Sequence, residues 1–133
     1  MNKRQTLFAA AAAAALLSTQ PLTAWAQTYP ARPVKVIIPF PPGGTLDAVG
    51  RQLAQKLGEQ TGQSFVVENR PGGNGTIGAD AVAKAPADGY TLLFNASTFT
   101  TAPMTMSKVP YTVTGDFAPV ALVSSAPMFV VMN

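Results

Sequence analysis

The chain has 133 residues, with nine Lys+Arg against six Asp+Glu for a net charge of +3, and it contains neither cysteine nor histidine. The two missing residue types exclude disulfides, thiol nucleophiles, histidine-based triads and the common zinc sites. The six carboxylates are scattered, so enzymatic acid–base chemistry has little support in the composition.

The first 26 residues have the pattern of a secretory signal peptide. A basic head at Lys3 and Arg4 precedes an apolar run from Leu7 to Leu17, and the segment ends in the small-x-small sequence Ala24-Trp25-Ala26. The apolar run has 11 residues, whereas a membrane span needs about 20. We therefore predict cleavage between Ala26 and Gln27, export from the cytoplasm, and no membrane insertion afterwards.

Removing this segment changes the charge balance. The mature chain has 107 residues, and without Lys3 and Arg4 its seven cations stand against six acids, for a net charge of +1. The basic character of the whole chain is therefore no argument for a nucleic-acid or membrane-surface partner. Because no cysteine is present, a lipid anchor at the new N-terminus is excluded.

The mature chain begins with a predicted strand and helix. Val34 to Pro39 is short, apolar and β-branched, as in a buried parallel strand. From Thr45 onward, leucine and valine recur at three- and four-residue spacing, as on one face of a helix. Thr45 is the predicted N-cap, and Gly62 is the predicted terminator.

The same alternation continues along the chain. The pattern predicts, in order, a strand at 64–68, a turn at 69–75, a helix at 76–85, a turn at 86–89, a strand at 90–95, a loop at 95–98, and two further strands at 117–124 and 127–132. Such alternation favours an α/β fold with a mostly parallel sheet and helices on both faces. Ligands of such sheets bind at the carboxyl ends of the strands, so we expect the site at loops 40–47, 69–76 and 95–98.

Loop 40–47 is the best candidate for ligand binding. Gly43 and Gly44 allow the backbone N–H groups to approach a ligand, and the helix start behind them favours an anion. No Lys-Ser or Lys-Thr follows the glycines, so the loop is not a nucleotide P-loop. A small carboxylate suits these donors, although an ordinary strand-to-helix turn explains the same residues.

Two other segments have more than one interpretation. Gly73, Gly75 and Gly78 match the G-x-G-x-x-G dinucleotide fingerprint, but residues 69–72 separate them from the strand, and Asn95 stands where the partner acid belongs. Arg70 is a candidate for a ligand carboxylate or for local carbonyls. Asn95, Ser97 and Thr98 offer neutral polar groups that suit either ligand orientation or turn formation.

Four motifs follow one another in a specific order: Tyr29-Pro30-x-Arg32-Pro33, VKVIIPFPPGG-T-x-Asp47, VVENRPGGNG-x-IGA-x-AVAKA-x-ADGYTLL and VPYTVTGDFAPVALV. Together they resemble the N-terminal signature of the Bug family, the periplasmic solute receptors of tripartite tricarboxylate transporters. The resemblance extends from about Tyr29 to the end of the chain, which is nearly all of the mature sequence.

This resemblance implies a Venus-flytrap fold that closes on a small carboxylate, without cofactor or catalysis, and delivers it to the permease subunits of the transporter. Asp47 is expected to act through water or as a brace for the helix start, because a bare carboxylate repels an anionic ligand. The ligand-binding residues that the resemblance implies are Phe40, Pro42, Gly43, Gly44, Thr45, Asp47, Asn95 and Ser97.

The resemblance also implies a domain division. Residues 27–118 correspond to the first lobe of a receptor, in incomplete form, and residues 119–133 to crossover strands toward a second lobe that the sequence lacks. Half a cleft leaves the ligand exposed to water and should bind weakly. The remaining alternatives are a truncated remnant that does not bind, and a dinucleotide-binding enzyme domain that uses Gly73, Gly75 and Gly78.

Overall fold

The computed structural model describes residues 28–125, so the predicted signal peptide and the predicted strand at 127–132 lie outside the described residues. Within these residues, three strands alternate with three helices, and a 3-10 turn precedes the second helix. In chain order the elements are β1 (Val34–Ile38), α1 (Thr45–Thr61), β2 (Phe65–Asn69), the 3-10 turn (Gly73–Gly75), α2 (Thr76–Ala83), β3 (Thr91–Leu93) and α3 (Thr98–Thr105).

The strands form a parallel sheet in the order β2-β1-β3. Val36 of β1 is level with Val67 on one side and with Leu92 on the other. The predicted α/β fold with a parallel sheet is therefore confirmed. Because β1 is central, both of its faces are covered by helices, and this explains why all of its residues except the exposed Lys35 are apolar. Val34, Ile37 and Ile38 are almost completely buried.

The helices lie on opposite faces of the sheet, as predicted. Helix α1 packs so closely on one face that a Cβ added at Gly50 would lie 2.5 Å from Cδ1 of Ile38. Helix α2 covers the other face, where a Cβ added at Gly78 would lie 2.7 Å from Cβ of Pro39. Neighbouring residues of an extended chain point to opposite faces, so Ile38 and Pro39 mark the two sides. The crossover from β1 to β2 and the crossover from β2 to β3 run in opposite directions along the sheet. Because both are right-handed, their helices must lie on opposite faces.

The ends of α1 agree with the sequence at one terminus only. Gly62 has φ +72°, and its N–H donates to the carbonyl oxygen of Gly58 at 3.0 Å, which confirms the predicted terminator. The prediction of Thr45 as N-cap was wrong. Gly44 occupies that position in an extended conformation, and no side chain caps the helix there.

Two predictions in the second half of the chain differ from the structure. The predicted loop at 95–98 passes directly into α3, which went unrecognised because its sequence is rich in threonine and contains Pro103. The predicted strand at 117–124 has no regular secondary structure. Val120 and Leu122 are 84% and 87% exposed. An apolar β-branched sequence forms a strand only where a neighbouring strand is available to pair with it.

An aromatic cluster joins α3 to the chain that follows it. The rings of Phe99 and Tyr111 stack with centroids 5.3 Å apart, and Phe117 meets Phe99 edge-on at 4.8 Å. The Tyr111 hydroxyl donates to the carbonyl oxygen of Phe99 at 3.2 Å.

Within residues 28–125, none of the helices has the length and apolar character that crossing a membrane requires.

Candidate functional site

The three predicted loops leave the sheet at the same edge. Ile38, the last residue of β1, is level with Asn69, the last residue of β2. The N–H of Phe94, just after β3, donates to the carbonyl oxygen of Ile37 at 2.9 Å. Loops 40–47 and 69–76 also lie close together, because a Cβ added at Gly75 would be 3.4 Å from the ring of Phe40. The topology therefore brings loops 40–47, 69–76 and 95–98 together at the carboxyl edge.

All three helices begin at this edge, and none of them is capped by a side chain. The N-cap residues are Gly44 for α1, Gly75 for α2 and Ser97 for α3, and none makes a capping hydrogen bond through its side chain. The first N–H groups of a helix have no partner within it and carry a partial positive charge. In α2, the N–H groups of Thr76 and Ile77 donate to carbonyl oxygens of the preceding glycine turn, and in α3 those of Phe99 and Thr100 donate to the chain just before them. Among the three helices, the start of α1 therefore offers the backbone donors that best suit an anion.

Asp47 is the acidic residue in the first turn of α1, and it is only 5% exposed. Its Oδ2 accepts hydrogen bonds from the N–H of Gly43 and from Nε of Arg51, both at 3.0 Å. Its Oδ1 accepts one from Nδ2 of Asn69 at 2.9 Å. Arg51, followed by the Gly43 N–H and the Asn69 amide, holds the pKa of Asp47 far below its usual range. The charge is thus neutralised inside the protein.

Asn69 connects the end of β2 to the loop after β1. Its Nδ2 donates to the carbonyl oxygen of Phe40 at 3.0 Å, and its Oδ1 accepts from Nη2 of Arg51 at 2.8 Å. The sequence pattern placed Asn69 in a turn, whereas the structure makes it the last residue of β2. The four-residue spacing of Asp47 and Arg51 was the available signal for their pairing. Nothing local in the sequence indicates the contact with Asn69.

The other predicted site residues lie at the same edge. Phe40 is half-buried, whereas Pro42, Gly43, Gly44 and Thr45 are exposed. Asn95 is half-buried, and its Oδ1 accepts from the N–H of the next residue at 2.8 Å. Ser97 is exposed at the start of α3.

Arg70 and the glycine hexapeptide have local roles in the structure. The Arg70 guanidinium pairs with Glu68, which also pairs with Lys35 across the sheet at 3.2 Å. The Thr76 hydroxyl donates to the carbonyl oxygen of Gly73 at 2.7 Å, so the turn closes on itself. Gly78 lies within α2 against Pro39, where only a residue without a side chain fits.

A shallow groove of about 380 Å³ lies elsewhere, between α1 and the outer edge of β2. Its lining residues are Arg51, Ala54, Gln55, Gly58, Ser64, Phe65 and Val67. The groove therefore does not coincide with the three loops.

Within the described part of the chain, His, Cys, Asp and Glu side chains do not gather in a group of three or more that could hold a metal ion.

The low pKa of Asp47 predicts a pH-dependent effect of Asp47→Asn. In the unfolded chain an aspartate titrates at about pH 3.9. The ionised carboxylate therefore stabilises the fold above that pH, and this stabilisation is lost as the pH falls toward the lower pKa of Asp47 in the folded protein. We expect the variant to be less stable than the wild type at pH 7 and the difference to shrink in acid. Urea unfolding between about pH 7 and pH 2.5 measures this; a difference that is independent of pH contradicts it.

A parallel sheet in the order β2-β1-β3, with helices on both faces and helix starts at its carboxyl edge, defines an α/β lobe of the periplasmic-binding-protein type. The family model described as tripartite tricarboxylate transporter family receptor, TctC, matches residues 49–133. The chain belongs to this family, and its resemblance to the Bug proteins is confirmed.

Individual relatives agree with this assignment. Protein BugT of Bordetella pertussis is 48% identical over 113 residues, which are 81% of this chain and 34% of the relative. A solved periplasmic transporter is 41% identical with a TM-score of 0.58, covering 62% of this chain and 28% of that one. A TctC solute binding protein from Polaromonas is 36% identical with a TM-score of 0.57, covering 62% and 29%. The chain thus spans about a third of the length of its curated relatives.

Proposed function

We propose that the chain forms the carboxylate-binding wall of a periplasmic receptor that captures a small organic acid for the permease subunits of a tripartite tricarboxylate-type transporter. It acts by binding and not by catalysis. The observation that carries this proposal is the start of α1, which has no side-chain cap at Gly44 and lies at the edge of the sheet where the three loops meet. The export pattern of the first 26 residues agrees with a periplasmic location.

The proposed contacts are mainly neutral. Backbone N–H groups of Gly44 and Thr45 face the carboxylate, and the Thr45 hydroxyl adds a donor. Asn95 and Ser97 orient the remainder of the ligand from the third loop. Phe40 and Pro42 shape the floor and the rim, while Gly43 and Asp47 support the loop from behind. Such a site favours a compact carboxylate, because the described loops offer it no unpaired lysine or arginine.

The proposal is tested by following backbone amides in nuclear magnetic resonance spectra while the protein is titrated with succinate. We expect the largest shifts at Gly44, Thr45 and Ser97. Succinamide has the same length without the charge and serves as the matched ligand control. Shifts confined to the groove around Phe65 would contradict the location of the site. Binding of a nicotinamide dinucleotide with shifts at residues 73–78, and none with succinate, would support the dinucleotide-binding alternative.

A single backbone donor can be removed at Thr45. Proline is favoured at the first helical position, and Gly44 already has the extended conformation that precedes proline, with φ −80° and ψ 169°. Thr45→Pro therefore removes the N–H and the hydroxyl without breaking the helix. We expect its affinity for succinate to fall by about tenfold or more. Thr45→Ala removes the hydroxyl alone and separates the two contributions. Unchanged affinity in Thr45→Pro would show that the helix start does not bind the carboxylate.

A further inference from the structure

We propose that Asp47, Asn69 and Arg51 form a positioning cluster that fixes the shape of the Phe40–Gly44 loop without contacting the ligand. This inference rests on the proposed function, because the loop is the part of the site that presents N–H groups to the carboxylate. The three residues come from the helix after the loop and from the neighbouring strand, so the cluster attaches the loop to two elements of the sheet framework.

The cluster holds the loop at two points. The carboxylate of Asp47 accepts the N–H of Gly43 at 3.0 Å, and the amide of Asn69 donates to the carbonyl oxygen of Phe40 at 3.0 Å. Pro41 and Pro42 stand between these points, and their rings restrict φ. The loop backbone is thus held before and after its stiff section.

Packing does not restrain the glycine part of this loop. Gly43 has φ +86°, and a Cβ built there would meet nothing within 4 Å. A residue with such freedom and no neighbours can change conformation at little cost. The hydrogen bond to Asp47 therefore restrains the backbone of Gly43, a role that side-chain packing has in the sheet. It selects one conformation of the glycine turn that leads into α1.

Arg51 fixes the other two members of the cluster. Its Nε donates to Asp47 at 3.0 Å and its Nη2 to Oδ1 of Asn69 at 2.8 Å. The planar guanidinium thereby determines which way the Asn69 amide faces, and Nδ2 is left to donate to Asp47 and Phe40. It also balances the Asp47 charge, so that the carboxylate does not repel an incoming anion.

The distances argue against a direct ligand contact through Asp47. Three donors already surround its two oxygens, and the residue is 5% exposed. Its partners are themselves protein groups with fixed positions. A ligand carboxylate placed against it would have to displace one of them, which costs a charge-assisted hydrogen bond.

The test measures hydrogen exchange of individual backbone amides in the full chain without ligand. In Asp47→Asn the new amide faces the donors of Arg51 and Asn69, and either orientation sets one donor against another. We expect exchange at Gly43 to become about tenfold faster, with a much smaller change at Ala54 in the middle of α1. Equal acceleration at Gly43 and Ala54 would mean a general loss of stability, and no acceleration at Gly43 would mean that the cluster does not hold the loop. Either result overturns the proposal.

Two further variants sharpen the result. Asp80→Asn removes the same charge from another helix, where Asp80 pairs with Lys84 at the same four-residue spacing, and should leave Gly43 unchanged. Combining Asp47→Asn with Asn69→Asp exchanges amide and carboxylate. The exchanged pair again accepts from Gly43 and from both Arg51 donors, whereas the bond to Phe40 is replaced by a carboxylate oxygen that faces the Phe40 carbonyl oxygen, so recovery should be incomplete. Exchange at Gly43 should return toward the wild-type rate; a rate as fast as in Asp47→Asn alone overturns the proposal.

Titration with succinate separates this inference from the proposed function. If the wild type binds succinate, the affinities of the variants should follow the exchange rates at Gly43: weak in Asp47→Asn, recovered in the exchanged pair, and unchanged in Asp80→Asn. If the wild type does not bind succinate or related dicarboxylates, the proposed function fails, and the exchange rates alone decide whether the cluster positions the loop.

Discussion

Replacing Ile38 by alanine is expected to lower the free energy of unfolding by about 3 kcal/mol, because its side chain is fully buried between the sheet and α1. Domains of this size have total stabilities of about 5–15 kcal/mol, so the variant should lose a large share of its stability. Urea denaturation followed by circular dichroism measures the change. Gly50 leaves room for this isoleucine, and the substitution opens a cavity that the helix backbone cannot fill.

Val66→Ala is the matched control for that experiment. Val66 lies in β2 on the same sheet but is 53% exposed, so its truncation removes little buried surface. We expect a loss below about 1 kcal/mol. Equal losses for Ile38→Ala and Val66→Ala would mean that the sheet is not packed beneath α1 in the way the structure shows.

Gly78→Ala is expected to destabilise the protein by about 2 kcal/mol, even though alanine is the better helix former by about 1 kcal/mol. The added Cβ would lie 2.7 Å from Cβ of Pro39, 2.9 Å from the carbonyl oxygen of Arg70 and 3.0 Å from Cα of Pro39. Backbone atoms cannot rotate away, so α2 has to move off the sheet. The same movement displaces the loop after β2, and succinate affinity should fall together with stability.

Gly50→Ala provides the comparison within the same fold. Its nearest neighbours are Cδ1 of Ile38 at 2.5 Å and the ring of Phe94 at 3.0 Å, which are side-chain atoms. The isoleucine can change rotamer, so the loss of stability should be smaller than for Gly78→Ala, and the loop after β2 should keep its position. A larger loss at Gly50 than at Gly78 would contradict the distinction between side-chain and backbone contacts.

The proposed site differs from one built on cationic side chains. Arg51 is committed to Asp47 and Asn69, and Arg70 is paired with Glu68. Attraction for the carboxylate therefore depends on backbone dipoles, which have fixed directions and act only at short range. Such a site selects by position more than by charge, and this makes the shape of the Phe40–Gly44 loop decisive. The positioning cluster is significant for this reason.

Sequence patterns predicted the framework because it depends on local features. The apolar run of β1, the helical spacing in α1 and the terminator Gly62 are each recognisable within a few residues, and the strand–helix alternation implies a parallel sheet. The same patterns located loops 40–47, 69–76 and 95–98 at one edge. They failed where context decides: the apolar segment 117–124 pairs with none of the strands in residues 28–125, and α3 forms from residues with low helix propensity.

The sequence by itself thus determined the α/β framework, the family and the edge at which the three candidate loops meet. Only the tertiary structure decided how that edge is built. Asp47 and Asn69 are 22 residues apart and meet because parallel pairing sets the end of β2 beside the end of β1. The absence of caps on three helices is visible only when their starts are seen together. Hydrogen bonds between distant side chains follow from strand register, and no local pattern encodes them.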